Sequence, residues 1–134
     1  MLIISIITSL FLFSFNQSKE NKLIGKWKLE SFTSSVNGKE SKSSAFDNRE
    51  FEFYIDNKYL LTQPEKNGLD STESVTKFNG DYEIANNSIT FYFHNIKETT
   101  YELVFLTDSK IKLIRYSSIS KSERSEEVYN KVLK

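Results

Sequence analysis

The stretch that decides the fold is LIGKWKLESF, residues 23–32. Leu23, Gly25, Trp27 and Leu29 occupy alternate positions, and Lys26, Lys28 and Glu30 fall between them. Alternation of apolar and charged residues is the period of a strand with one buried face. Trp27, the only Trp, then points inward, and Gly25 shares its face. A glycine inside a strand marks a sharp bend or the close approach of another chain segment. Gly25 and Trp27 therefore predict a floor, with a large ring lying across the end of a barrel and a glycine giving it room. Gly80, in FNGDYEI (78–84), is expected to bend a later strand for the same reason. All three are read as fold determinants.

Working outward, period-2 alternation recurs along the rest of the chain and predicts eight strands, at 23–33, 49–55, 58–63, 75–84, 88–94, 99–106, 110–116 and 126–133. The tail SERSEEVYNKVLK fits a short helix as well as a strand. Three connections are short: Asp56-Asn57, Ala85-Asn86-Asn87 and Thr107-Asp108-Ser109, all rich in residues that tolerate tight turns. Residues 34–48, 64–74 and 117–125 are long connections, and NIKE (95–98) is intermediate. In an up-and-down meander alternate turns lie at opposite ends, so the short turns gather at one end and the long loops at the other. An even strand count makes the first and last strands antiparallel, and their pairing removes both sheet edges. The expected fold is all-β: an eight-stranded up-and-down antiparallel barrel with a tight end and a loop-rich mouth. A barrel of this size is either filled by side chains or holds one small ligand.

Composition agrees. A chain of 134 residues is one domain by length. Eleven Phe and seven Tyr supply a large apolar core, and a single Pro leaves strands uninterrupted. Eighteen basic and eighteen acidic residues balance, which gives no electrostatic footprint for nucleic acid or anionic lipid. Cysteine is absent, so disulfides, thiolate chemistry and a lipoprotein anchor are excluded. Residues 2–15, LIISIITSLFLFSF, are apolar and uncharged. They are too short for a membrane span of about 20 residues and match the apolar core of a signal peptide. The expected division is a signal peptide at 1–18 and a barrel domain at 22–134, secreted or periplasmic and monomeric.

Three passages extend the reading: LIGKWKLESF, then FNGDYEIANNSITF (78–91), then YELVFLTDSKIKLI (101–114). A Gly-x-Trp at the start of the first strand of such a barrel resembles the lipocalins. The three passages together resemble the small lipocalin-like domains of secreted proteins from Bacteroidetes-type bacteria, over residues 22–133. GKWKL is also similar to the start of fatty-acid-binding proteins, whose ten strands and two helices need a longer chain. The lipocalin resemblance implies a calyx for small, usually apolar molecules. It also implies an Arg near the end of the last strand, packed over the Trp. Here that strand ends YNKVLK, so Lys131 or Lys134 takes the place in part. A lysine lacks the planar fork that stacks on a ring.

Alternation directs Phe51, Phe53 and Ile55, then Phe78, Tyr82 and Ile84, then Ile89, Phe91 and Phe93, and Ile111 with Leu113 to the interior. On the strand at 99–106 the set Tyr101, Leu103 and Phe105 competes with Val104 and Leu106. Arg115 continues the face of Ile111 and Leu113 on a strand that runs toward the mouth. Lys110 and Lys112 fall on the outer face, which leaves Arg115 as the inward cation at the mouth, suited to a carboxylate. Water or a loop acid such as Glu123 would pair it without ligand. Glu126 and Glu127 are adjacent carboxylates, and Glu50 with Glu52 share an outer face. His94 is the only His and is read as a surface residue. No metal-ligand spacing, nucleophile elbow or glycine-rich phosphate loop occurs.

The expected function is non-catalytic, without cofactor, metal or nucleic acid. A hydrophobic or carboxylate-bearing molecule is held at the mouth by Arg115, Phe53, Tyr82, Phe91 and Phe93. The alternative is a protein-interaction module with a filled interior, contacting its partner through the long loops. The exported form is expected to begin between residues 14 and 23, as N-terminal sequencing would show. Recovery of intact Met1 from soluble cytoplasm would contradict it.

Overall fold

The computed structural model describes residues 19–44, 47–66, 73–117, 119 and 122–133. The segment read as a signal peptide, the connection at 67–72 and Lys134 lie outside the described residues. Nine strands follow one another: β1 (Gly25–Val36), β2 (Lys39–Ser43), β3 (Glu50–Phe53), β4 (Lys58–Lys66), β5 (Glu73–Ala85), β6 (Ser88–Phe93), β7 (Ile96–Thr107), β8 (Lys110–Tyr116) and β9 (Glu123–Lys131). Consecutive strands from β3 to β9 pair antiparallel, and β1 pairs with both β3 and β9. Strands β1 and β3–β9 thus form the closed eight-stranded antiparallel barrel that the alternation predicts.

The ninth strand is a correction to the sequence reading. The long connection at 34–48 contains β2, joined to β1 by a two-residue turn at Asn37-Gly38. Both turn residues have positive φ, 52° and 80°, the conformation that Asn-Gly favours in tight hairpins. Strand β2 pairs with Phe32–Val36, beyond the part of β1 that pairs with β3, so it extends the rim without entering the barrel. A second correction concerns NIKE. The turn there is His94-Asn95, with φ of 51° and 63°, and β7 starts at Ile96. Strand β6 consequently stops early. Residues 73–80 of β5 pair with β4 and find no partner in β6, which leaves a notch in the wall between β5 and β7.

Two smaller corrections, at Ile55 and Phe78, accompany the strand expected in the tail. Ile55 lies in the β3–β4 turn and is 84% exposed. The tail is a strand, β9, with Glu127 and Tyr129 buried. Phe78 has the inward register but sits near the notch and is half-exposed. Between Tyr101–Leu103–Phe105 and the competing set, Leu103 is buried and Tyr101 and Phe105 pack on the core.

The closed end begins before the first strand. Residues 19–23 form a short helical turn, so Leu23 is buried from a helix and β1 starts at Gly25. Trp27 is 0% exposed, and its indole N–H donates to the Leu23 carbonyl at 2.7 Å. Gly25 has φ +126°, a conformation that residues with a Cβ rarely adopt, and an added Cβ would lie 3.2 Å from the Lys131 side chain. Lys131 Nζ lies 5.5 Å from the centre of a Trp27 ring, a cation–π distance, and donates to the Lys22 carbonyl. The lysine thus occupies the place over the Trp for which the resemblance implies an Arg. Lys19 donates to Asn86 O and Asn87 Oδ1 of the β5–β6 turn, fastening the helical turn across the barrel end. At Gly80, expected to bend its strand, the structure shows a close approach instead: a Cβ there would stand 1.9 Å from the Tyr92 backbone oxygen.

Above Trp27 the lower barrel is filled by rings. Phe51 stacks on Phe53 (centroids 5.4 Å) and on Phe91 (5.2 Å), and meets Tyr129 edge-on (5.3 Å). Phe53 meets Tyr82 edge-on at 5.2 Å. Such pairs contribute about 0.5–1.5 kcal/mol each beyond their buried area. Trp27→Ala is expected to destabilise the protein by about 3–5 kcal/mol, the range for truncating a buried large aromatic. Trp27→Phe should cost less. Denaturant melts measure both, and a loss below about 1 kcal/mol for Trp27→Ala would contradict the role of Trp27 in the floor.

Candidate ligand-binding site

Halfway up the barrel the interior changes from apolar to ionic. Arg49, just before β3, has the register of Phe51 and Phe53 and turns inward. Its Nη1 donates to Glu127 Oε1 at 2.8 Å, and its Nε donates to Gln63 Oε1 at 2.7 Å. The Tyr129 hydroxyl donates to the same Glu127 oxygen at 2.7 Å. The Glu127 side chain is 3% exposed and that of Arg49 14%. An isolated carboxylate at such depth would cost many kcal/mol. Here it holds two donors, and among the described residues no buried side-chain polar atom lacks a hydrogen-bond partner. Burial, and then the Glu127 charge, hold the Tyr129 hydroxyl well above the usual tyrosine pKa.

Above this layer the mouth opens into a bowl of about 450 Å³. Its wall comes from β1, β7, β8 and β9, and includes Phe32, Ser34, Tyr101, Arg115, Glu123 and Arg124, with Arg49 and Glu127 beneath. Phe32 reaches the bowl because of a bulge. The register of β1 against β9 slips between Leu29 and Ser31, which moves Phe32 and Ser34 onto the inner face. Arg124 is drawn to Glu126 at 3.1 Å. Arg115 has the register of buried Ile111 and Leu113 but lies at the rim, where it is exposed to the bowl. Its guanidinium interacts with the Tyr101 hydroxyl. Burial pushes the Tyr101 pKa up to about 12, and Glu127 adds to the rise, while Arg115 and Arg49 oppose it.

A second, apolar recess of about 180 Å³ adjoins on the β3–β7 side, by the notch. Phe51, Leu61, Phe78, Phe91 and Thr99 line it, and Arg49 and Tyr101 are common to recess and bowl. Glu98 also faces it and accepts a 2.8 Å hydrogen bond from the Tyr59 hydroxyl. That bond and burial, the larger cause, raise the Tyr59 pKa.

Of the residues singled out from sequence, Arg115 lines the bowl and Phe91 the recess. Phe53 and Tyr82 are 1% and 3% exposed in the filled lower barrel and line neither. Phe93 ends β6 with its ring 4.1 Å from that of His94, and lines neither. His94 itself is an exposed turn residue. Among the described residues no group of three or more His, Asp or Glu is arranged to hold a metal. Arg49, Gln63 and Glu127 were not legible as a site. The signal was present for Arg49, which precedes Phe51 by two residues after a long connection. Arg115 is therefore not the sole inward cation on the mouth side, and Arg49 is the deeper of the two.

A family model described as a lipocalin-like domain matches residues 23–113. A crystal structure of an uncharacterized protein from Bacteroides eggerthii DSM 20697 is similar, with 18% identity over 82% of this chain and 99% of that one, at a TM-score of 0.56. At that identity the likeness concerns the fold alone. A redesigned beta barrel aligns at 11% identity over 85% and 95% of the two chains, with a TM-score of 0.46. The comparison with curated proteins gave no match.

Two outcomes follow from the ionic layer. Glu127→Ala strands Arg49 and is expected to cost about 3–5 kcal/mol, as when one partner of a buried pair is removed. The double replacement Arg49→Met with Glu127→Leu is expected to recover most of that loss in denaturant melts. If it is no more stable than the single variant, the cost does not come from the stranded charge. The second outcome concerns alkali. A folded-state pKa above the unfolded value near 10 stabilises the fold below pH 10, and that contribution is lost as pH rises through 12. Stability measured between pH 9 and 12 is expected to fall, and Tyr101→Phe should shallow the slope. An unchanged slope would show that Tyr101 ionises alike in both states.

Proposed function

This chain belongs to the lipocalin-like domain family, and from that premise we propose that it is a non-catalytic, exported barrel that binds a small amphipathic anion at its mouth. The observation that carries the reading is Arg115. It stands on the inner register of β8, open to a bowl of about 450 Å³, beside the Tyr101 hydroxyl. The Arg49 charge is already engaged by Glu127, whereas the Arg115 fork faces the bowl. A guanidinium with a neighbouring hydroxyl suits a carboxylate, which accepts two parallel N–H donors and one O–H. The apolar residues of the bowl and recess then cover the rest of the molecule. Export rests on the apolar, uncharged stretch at 2–15, and places the barrel in the periplasm or outside the cell.

A second reading, a protein-interaction module, is favoured by the rim. Val36, Tyr116 and Ile119 are exposed there, Ile119 by 94%, and the lower interior is filled. The two readings part on Arg115. In the first, Arg115→Gln weakens a small carboxylate by about 1.5–3 kcal/mol, the scale of a charged hydrogen bond, and leaves a neutral analogue nearly unaffected. Isothermal titration decides. Equal losses for both molecules, or none, would remove Arg115 from the site.

A further inference from the structure

We infer that the ligand is a compact carboxylate bearing a single ring or a short branched group, and not a long-chain acid. The inference rests on the mouth being the binding site. Its basis is the adjacency of two spaces of opposite character. The bowl presents the Arg115 cation, and the apolar recess adjoins it across Tyr101 and Arg49, which line both. The recess measures about 180 Å³. An apolar cavity of about 150 Å³ is known to take benzene, so one ring or a few branched carbons fill this one.

Depth sets the limit on length. Beneath the recess Phe51 and Phe91 stack with centroids 5.2 Å apart, and Phe51 meets Tyr129 at 5.3 Å. On the bowl side the floor is the Arg49–Glu127 pair. A long acyl chain would have to part the stacked rings, displace the ion pair or trail its methylenes into water. None of these repays the chain, since a methylene contributes only when it is buried.

Orientation follows from charge. Glu98 faces the recess and repels a carboxylate placed there, so the anionic end of the ligand lies toward Arg115 and the apolar end toward Phe91. The edge-to-face contacts of Phe91 with Tyr59 (4.9 Å) and Tyr101 (5.9 Å) set rings around the recess, and a ligand ring continues that packing.

The test titrates the full chain with acetate, phenylacetate and dodecanoate. Phenylacetate is expected to bind at least tenfold more tightly than acetate, and dodecanoate no more tightly than phenylacetate. Leu61→Phe fills the recess and is expected to reduce the phenylacetate-to-acetate ratio at least fivefold. Thr99→Leu does the same from another wall if the first variant does not fold. Tighter binding of dodecanoate by tenfold, or a ratio unmoved by either folded variant, overturns the inference. In that case a loss on Arg115→Gln still upholds the mouth as the site. Absence of binding by all three acids overturns the inference and the ligand-binding reading together.

Discussion

The Glu127 carboxylate lies inside the barrel, and the rest of the interior is arranged around the cost of keeping a charge there. Two donors meet one oxygen: Arg49 Nη1 at 2.8 Å and the Tyr129 hydroxyl at 2.7 Å. Gln63 holds the other face of the guanidinium. Arg49 precedes β3 and Gln63 follows it on β4, while Glu127 and Tyr129 lie on β9, so the layer forms only when β9 closes onto β1 and β3 is in register beside it. A buried pair of this kind adds little net stability, but removal of either partner is expensive. It therefore penalises strand registers that separate the two charges. It also marks the level at which the solid part of the barrel ends.

Below that level the structure is a plug. Trp27 closes the end, held by the Leu23 carbonyl and covered by Lys131, and Phe51, Phe53, Tyr82 and Tyr129 fill the space above it. Above it the walls part. Strand β6 stops at Phe93, β5 continues without it, and β1 runs on past β3 to pair with β2. The consequence is a shallow two-part mouth, ionic on one side and apolar on the other. Among the described residues the barrel beneath this mouth is filled by rings, so the mouth offers charge on one side and room for a few carbon atoms on the other.

Much of this could be read before the structure, and the part that could not has identifiable causes. Trp27 and Gly25 predicted the floor because alternation within one strand is a local property. Gly80 was legible as a fold determinant, because only a glycine tolerates a neighbouring backbone oxygen so close. The bulge near Glu30 was not legible. It shifts the register after Leu29, so simple alternation would turn Phe32 outward when it faces the bowl. Strand β2 was hidden by composition, since KESKS carries no apolar residue and owes its existence to the Asn37-Gly38 turn and its pairing with β1. Phe53 and Tyr82 had the right face, yet alternation says nothing of height along the barrel, and height separates a core ring from a wall of the mouth. Arg49 was overlooked because its charge is compensated by residues 14 and 78 positions away, Gln63 and Glu127.

The central claim is that the ligand stays above the ionic layer and never reaches the floor. The single Trp makes this directly measurable, because the Trp27 indole N–H is buried beneath the aromatic plug and bonded to the Leu23 carbonyl. Nuclear magnetic resonance of the protein titrated to saturation with a ring-bearing carboxylate gives the answer in one experiment. The account predicts large shifts for the signals of Arg115, Tyr101 and Phe91, with the Trp27 indole resonance unmoved and its exchange with solvent as slow as before. Movement of the Trp27 resonance as large as that of Arg115 would contradict it, and would mean that the lower barrel opens to admit the ligand.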